Sequence, residues 1–277
     1  MDTKDTSMLH PYNKTMHRVD SHKGDNGTVA IIGGSTSMHG APIFSALAAE
    51  ATGVDLIHVC VPAVHSEVTR MHSLNFQVHP FKGDDLAAQD RAMILELLAT
   101  MDAAVIGPGI ARDTSALRAL RDIIEEAPCP LVLDASALQP WTLDAVRGKT
   151  TILTPHLGEL ERMGVPPDAI GDCAQKHGVC ILAKGVVDRI AAPDGSVVEI
   201  AGGNAGLTVG GTGDALAGIV AGLLAQGLSP LDACYQASKA IKRSGALLYP
   251  KFGYAYGTKR VIEQIPGILR LLSSAQE

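Results

Sequence analysis

Residues 202–214 read GGNAGLTVGGTGD, and residues 215–225 continue as ALAGIVAGLLA. The first stretch is dense in glycine and ends in the carboxylate of Asp214. The second is apolar throughout and reads as a buried helix. A glycine loop that opens a helix offers unpaired backbone N–H groups, and the positive end of the helix dipole, to an anion. On this reading the dipole holds Asp214 ionised, and its carboxylate points to where a phosphate would lie. That is an arrangement for phosphoryl transfer with Asp214 as base. An Asp at a helix start is also a common cap, but a cap needs one polar residue. A long approach of small residues is what close passage of backbone past a ligand requires.

Outward from this stretch the chain alternates strand and helix. Residues 28–32 (TVAII) read as a buried strand, 33–42 as a glycine-rich loop with Pro42 suited to a first helical turn, the helix as running through 51, and 55–61 as the next strand. The pattern continues with helix 86–99, strand 103–106 and the turn 107–109. It goes on with helix 113–126, strand 131–133 ending at Asp134, a short helix near 140–147 and strand 151–153. After the loop 154–159 come helix 168–177, strand 179–183 and Lys184-Gly185. Residues 187–192 and 196–200, split by Pro193-Asp194-Gly195, read as a hairpin. Helices over 214–226, 230–247 and 258–272 close the chain. Such alternation predicts an α/β fold, a doubly wound, mostly parallel sheet with helices on both faces. Residues 1–22 read as a polar N-terminal arm and 23–277 as a single domain. In such sheets ligands bind beyond the strand C-termini. The distinctive loops all follow strands, which predicts one site on one edge.

Composition narrows the function. Of 277 residues, 46% are hydrophobic and only 4% aromatic, so the core must be aliphatic. A formal net charge of −6 argues against nucleic acid or an anionic membrane as main partners. A phosphate must then be held locally, by loops and helix ends. Five cysteines without a C-x-x-C pair read as free thiols in a reducing cytosol, so a cytoplasmic location is expected. The ten histidines show no metalloprotease spacing, and no protein ligand to a metal is assigned. The apolar helix 215–225 is too short to span a bilayer. Lys184, at a strand end, could pair with a phosphate as a point charge.

The run GNAGLTVGGTGD with its small-residue helix resembles the signature of the NAD(P)H-hydrate dehydratases, of the ribokinase-like superfamily. Three further stretches agree with it in order: GGS followed by GAP within 33–42, TPHLGE at 154–159 and KGVVD at 184–188. The likeness extends from Lys23 to about Leu269. Departures stand at His39, where an aromatic is frequent, at Ser136, where a second acid is common, and at Arg260, where an acid is usual.

The resemblance implies a repair lyase that returns hydrated NADH or NADPH to the normal cofactor, with ADP or ATP as phosphoryl donor. It places Ala41, Gly109, His156 and Asp214 at the hydrated substrate, and Lys184, Gly185, Val186, Val187, Asp188 and Gly213 at the nucleotide. Asp214 would take the C6 hydroxyl proton while N–H groups of Thr212 and Gly213 bear the developing phosphate charge. Phosphate then leaves, and Mg²⁺ is expected to shield the phosphates. A homo-oligomer, a tetramer, is expected, with small-residue helices such as 41–51 as its sequence motive. So is a functional link to a separate NAD(P)H-hydrate epimerase, with no epimerase domain within residues 1–22. Two other readings stay open: a vitamin-precursor kinase of the same fold, and a non-catalytic nucleotide-binding sensor.

Overall fold

The computed structural model describes residues 20–274, so most of the polar arm expected over residues 1–22 lies outside them. The described chain builds one nine-stranded sheet with strand order β3-β2-β1-β4-β5-β6-β7-β8-β9. Its members are β1 (Thr28–Ile32), β2 (Leu56–Val61), β3 (Phe76–Pro80), β4 (Ala103–Ile106), β5 (Leu131–Leu133), β6 (Thr151–Leu153), β7 (Cys180–Ala183), β8 (Asp188–Ala191) and β9 (Val197–Ile200). The first seven strands are parallel, and β8 and β9 add an antiparallel hairpin. Every residue of β1, β4, β5 and β6 is buried. That is why these strands are continuous Val/Ile/Leu/Ala runs, not alternating ones: a parallel sheet is covered on both faces.

Two aliphatic cores flank the sheet. One joins α1 (Gly40–Glu50), α8 (Thr212–Ala225), α9 (Pro230–Phe252) and α10 (Thr258–Ser274) to the face that carries Val29, Ile31, Val105 and Val132. The other joins α3 (Arg91–Leu98), α4 (Thr114–Glu126), α5 (Thr142–Ala145), α6 (Leu157–Met163) and α7 (Ile170–His177) to Ala30, Ile32, Ile106 and Leu133. Strand order reverses between β1 and β4, and there the loops interlock: Gly34 N–H donates to Pro108 O at 2.8 Å.

Helix α8 is buried nearly all round. Its small residues let α1 lie directly against it. A Cβ on Gly218 would fall 2.1 Å from the Ser45 carbonyl oxygen, and one on Gly222 would fall 2.2 Å from Thr52 Oγ1. The small face of residues 41–51 is therefore spent on an internal contact.

Four elements differ from the sequence reading. Edge strand β3 and helix α2 (Ser66–His72) are not expected from the sequence, because FQVHP is only half-buried and carries no apolar run. Helix α6 grows out of TPHLGE, where Pro155 and Gly158 read as loop. The helix expected over 86–99 divides into a 3-10 turn, Ala88–Asp90, and α3, with the buried Asp90 carboxylate accepting from Lys82 N–H at 2.7 Å.

Gly218→Ala tests the α1–α8 contact. Overpacking of this kind costs about 1–3 kcal/mol, a fall in Tm on the order of 2–12 °C for a chain of this size, to be read by thermal unfolding.

Candidate active site

The start of α8 is shaped by Gly211. Its φ is +94°, and a Cβ there would fall 2.4 Å from the Phe44 ring, so a side chain is excluded both by backbone conformation and by space. The next amide departs from expectation: Thr212 N–H turns back to Val209 O at 3.4 Å. The open donors of the first turn are then those of Gly213 and Asp214, which helix geometry leaves without intrahelical partners. The Asp214 carbonyl accepts from Ser45 Oγ at 2.9 Å, which ties this turn to α1 one turn beyond Ala41.

Around Asp214 the strand ends gather charge. Lys184, just past β7, places Nζ 2.7 Å from Asp134 Oδ1 and 3.7 Å from Glu159 Oε2. Asp134 is 2% exposed and Glu159 3%. Thr154 Oγ1 donates to Asp134 at 2.9 Å. Burial disfavours the Lys184 ammonium, but Asp134, Glu159 and Asp214 outweigh it and raise its pKa. Three carboxylates face this one ammonium, and Asp214 shows the imbalance. Burial first, then the negative charge of Asp134 and Glu159, push its pKa up to about 7, against the opposing pull of Lys184. The expectation that the helix dipole holds Asp214 ionised is thus corrected: desolvation beside two acids overrides one dipole.

His156 caps α6. Its backbone N–H donates to Glu159 Oε2 at 2.8 Å, and Glu159 N–H donates to His156 Nδ1 at 3.3 Å, a reciprocal capping box. A β-bridge pairs His156 with Lys184. Glu159 reads in the sequence as a first-turn charge; the fold makes it both this cap and a member of the buried cluster. Asp134 is visible there only as a strand-ending acid.

A cavity of about 610 Å³ opens beside the cluster. His156, Lys184, Gly185, Val186, Asp188 and Gly213 line it from the predicted set, joined by Asn204 and Lys242. Val187 is exposed beside it and not among its lining. Ala41 and Gly109 lie together elsewhere: a Cβ on Gly109 would fall 3.2 Å from the Ala41 Cβ, at the interlocked β1 and β4 loops. Asp214 stands between the two groups, tied to α1 on one side and facing Lys184 on the other. Asn204 is pinned by Tyr256, whose hydroxyl donates to Asn204 Oδ1 at 2.6 Å. Among the departures from the family pattern, Ser136 donates to Ile110 O at 2.7 Å, and Arg260 lies over the Phe252 ring.

A family model described as NAD(P)H-hydrate dehydratase matches residues 29–267. The chain belongs to the NAD(P)H-hydrate dehydratase family. A relative from Cenarchaeum symbiosum, named ADP-dependent (S)-NAD(P)H-hydrate dehydratase, is 35% identical over 91% of this chain and 92% of its own. Among solved structures, an ADP/ATP-dependent NAD(P)H-hydrate dehydratase from Bacillus subtilis, co-crystallised with ATP and Mg²⁺, is 26% identical with a TM-score of 0.75 and 94% of each chain covered. A ribokinase-like superfamily protein from Enterococcus faecalis superposes with a TM-score of 0.83 at 24% identity, covering 94% of this chain and 92% of that one. The fold of this family member is therefore ribokinase-like, as the sequence indicates.

The raised Asp214 pKa has a consequence for stability. From the ordinary carboxyl value of 3.8 up to about 7, the unfolded chain releases this proton while the folded chain keeps it. Asp214 therefore lowers stability progressively as pH rises through that window. Asp214→Asn should leave Tm nearly unchanged at pH 4 and raise it at pH 8, on the order of 5 °C. Calorimetric scans of both proteins at the two pH values measure this.

Proposed function

We propose that the protein is an ADP-dependent (S)-NAD(P)H-hydrate dehydratase, with Asp214 as its base. The observation that carries this reading is the juxtaposition of Asp214, on an open helix N-terminus, with Lys184 at the mouth of a nucleotide-sized cavity. Family membership supplies the substrate class, and the names of the relatives support ADP or ATP as donor.

In this reading ADP occupies the cavity against Lys184, Gly185, Val186, Asp188 and Gly213. The hydrated nicotinamide lies toward Ala41, Gly109 and His156. Asp214 removes the C6 hydroxyl proton as the oxygen attacks the terminal phosphorus. The P–O bond to AMP breaks, and the Gly213 and Asp214 amides bear the developing charge. Phosphate then leaves C6 with its bonding electron pair, and loss of a proton from C5 to solvent restores the ring double bond. A hydroxyl is a poor leaving group and a phosphate is a good one, which is what the nucleotide contributes.

Among the described residues, no three His, Cys, Asp or Glu side chains are grouped so as to hold a metal ion, and Asp134 and Glu159 are turned to Lys184. The residues thus form no cage for Mg²⁺. An ion arriving with the nucleotide would rest on phosphate oxygens and water, and no step above depends on it. A cytoplasmic location, a tetrameric assembly and a link to a separate epimerase belong to the same proposal. A monomer mass in light scattering would remove the assembly from it.

Incubation with hydrated NADH and ADP should restore the NADH absorbance band, with one phosphate released per turnover. Asp214→Asn should lower kcat by roughly 10²–10⁴-fold, the usual worth of a positioned general base. In the wild type, kcat should rise with pH through about 7 as Asp214 ionises. A folded Asp214→Asn protein with near-wild-type turnover would remove Asp214 as base.

His156→Ala should raise KM for hydrated NADH more than KM for ADP. The opposite pattern would assign its loop to the nucleotide.

A further inference from the structure

Lys242 belongs to none of the motifs, yet it is a lysine buried to 7% exposure in the middle of α9. A buried ammonium is costly unless paired and hydrogen-bonded. Its partners all lie in the 184–188 loop. Nζ donates to Val186 O at 3.0 Å and to Gly185 O at 3.3 Å, and stands 3.4 Å from Asp188 Oδ1. Two of the three N–H donors of the ammonium are thus spent on loop carbonyls, and the Asp188 carboxylate balances its charge. Lys242 lines the main cavity, with its ammonium turned to the loop.

The loop is closed a second time from the other side. Asp188 Oδ1 accepts Gly185 N–H at 2.9 Å, and Oδ2 accepts Ser238 Oγ, also on α9, at 2.7 Å. Without the lysine, two loop carbonyls would lose a charge-assisted donor and the Asp188 carboxylate its counter-charge. The loop tip is otherwise weakly held, since the Val186 side chain is 91% exposed.

We infer that Lys242 is a positioning residue for the nucleotide: it draws the Gly185 and Val186 carbonyls down onto α9 and so fixes the loop wall beside Lys184. This rests on the ADP-dependent reading of the cavity. The same charge neutralises Asp188, so an acid in the nucleotide wall does not repel phosphate. The effect should fall on nucleotide affinity. Asp214 and the Ala41–Gly109 side are tied through α1 and α8, whereas the polar contacts of Lys242 go to residues 185–188.

The test is Lys242→Met in the full chain, with Lys242→Arg as the conservative variant. For Lys242→Met, KM and calorimetric Kd for ADP should rise about tenfold, the scale of removing one strong hydrogen bond. kcat at saturating ADP and KM for hydrated NADH should stay within about twofold. Lys242→Arg should recover most of the ADP affinity. If Lys242→Met does not fold, Lys242→Gln, which keeps a donor and drops the charge, is read in the same way. Unchanged ADP affinity in a folded variant overturns the inference. So does an equal loss in kcat and in both KM values, which marks a general structural role. Wild-type protein that neither binds ADP nor dehydrates hydrated NADH overturns instead the function on which the inference rests.

Discussion

The ion pair between Lys184 and Asp134, at 2.7 Å, is the constraint on which the site depends. It joins the ends of β5 and β7 across β6, and Glu159, at the start of the helix after β6, closes the gap between them. Three strand ends are thereby fixed relative to one another by charge as well as by the sheet ladder. A lone buried carboxylate or ammonium would neutralise itself by shifting its pKa. Here the lysine stays charged because its neighbours are acids, and Asp214 is the group left over. Lys184 serves Asp134 and, with Arg162, Glu159, so Asp214, the least compensated of the three, binds a proton near neutrality.

The helices on one face turn this charge arrangement into a site. Gly218 and Gly222 admit α1 against α8 at backbone distance. Ser45 on α1 then reaches the Asp214 carbonyl. Asp214 is thus referenced to the helix whose first turn carries Ala41. From the other side, α9 holds the cavity wall through Lys242 and Ser238, and its Gly245 carbonyl accepts from Asn204 Nδ2 at 2.8 Å. The two halves of the site hang on different helices, and this makes separate effects on the two ligands physically possible.

Much of this is legible in the sequence, and the reasons are local. Runs such as TVAII and DLIHVCV announce buried parallel strands because both their faces are covered. The glycine run before Asp214 announces a close backbone approach because few other demands call for it. What stays hidden depends on tertiary partners. Strand β3 has no pattern of its own and exists because β2 offers an edge. Glu159 looks like any acid in a first helical turn until β5 and β7 bring Asp134 and Lys184 to it. Lys242 sits in an ordinary helix, and only the loop 54–57 residues earlier in the chain gives it a role. The Asp214 proton affinity escapes a sequence reading for the same reason: the dipole is local, and the opposing acids are not.

The raised proton affinity bears on the chemistry. A carboxylate held at the ordinary value of 3.8 would be ionised at pH 7 but a feeble acceptor for a hydroxyl proton. Proton transfer is most effective when the base is poised near the working pH. Burial among acids supplies that poise and makes the folded state bear the strain, which is the usual relation between a reactive group and its scaffold. The same acids would repel an incoming phosphate if they stood alone. Lys184 answers this by lying between them and the α8 N-terminus: a Cβ on Gly213 would fall 3.3 Å from its amine. A phosphate at the open amides would therefore meet the ammonium first and the carboxylates behind it. The acids raise the basicity of Asp214 from one side, while Lys184 presents a positive charge to the anion on the other.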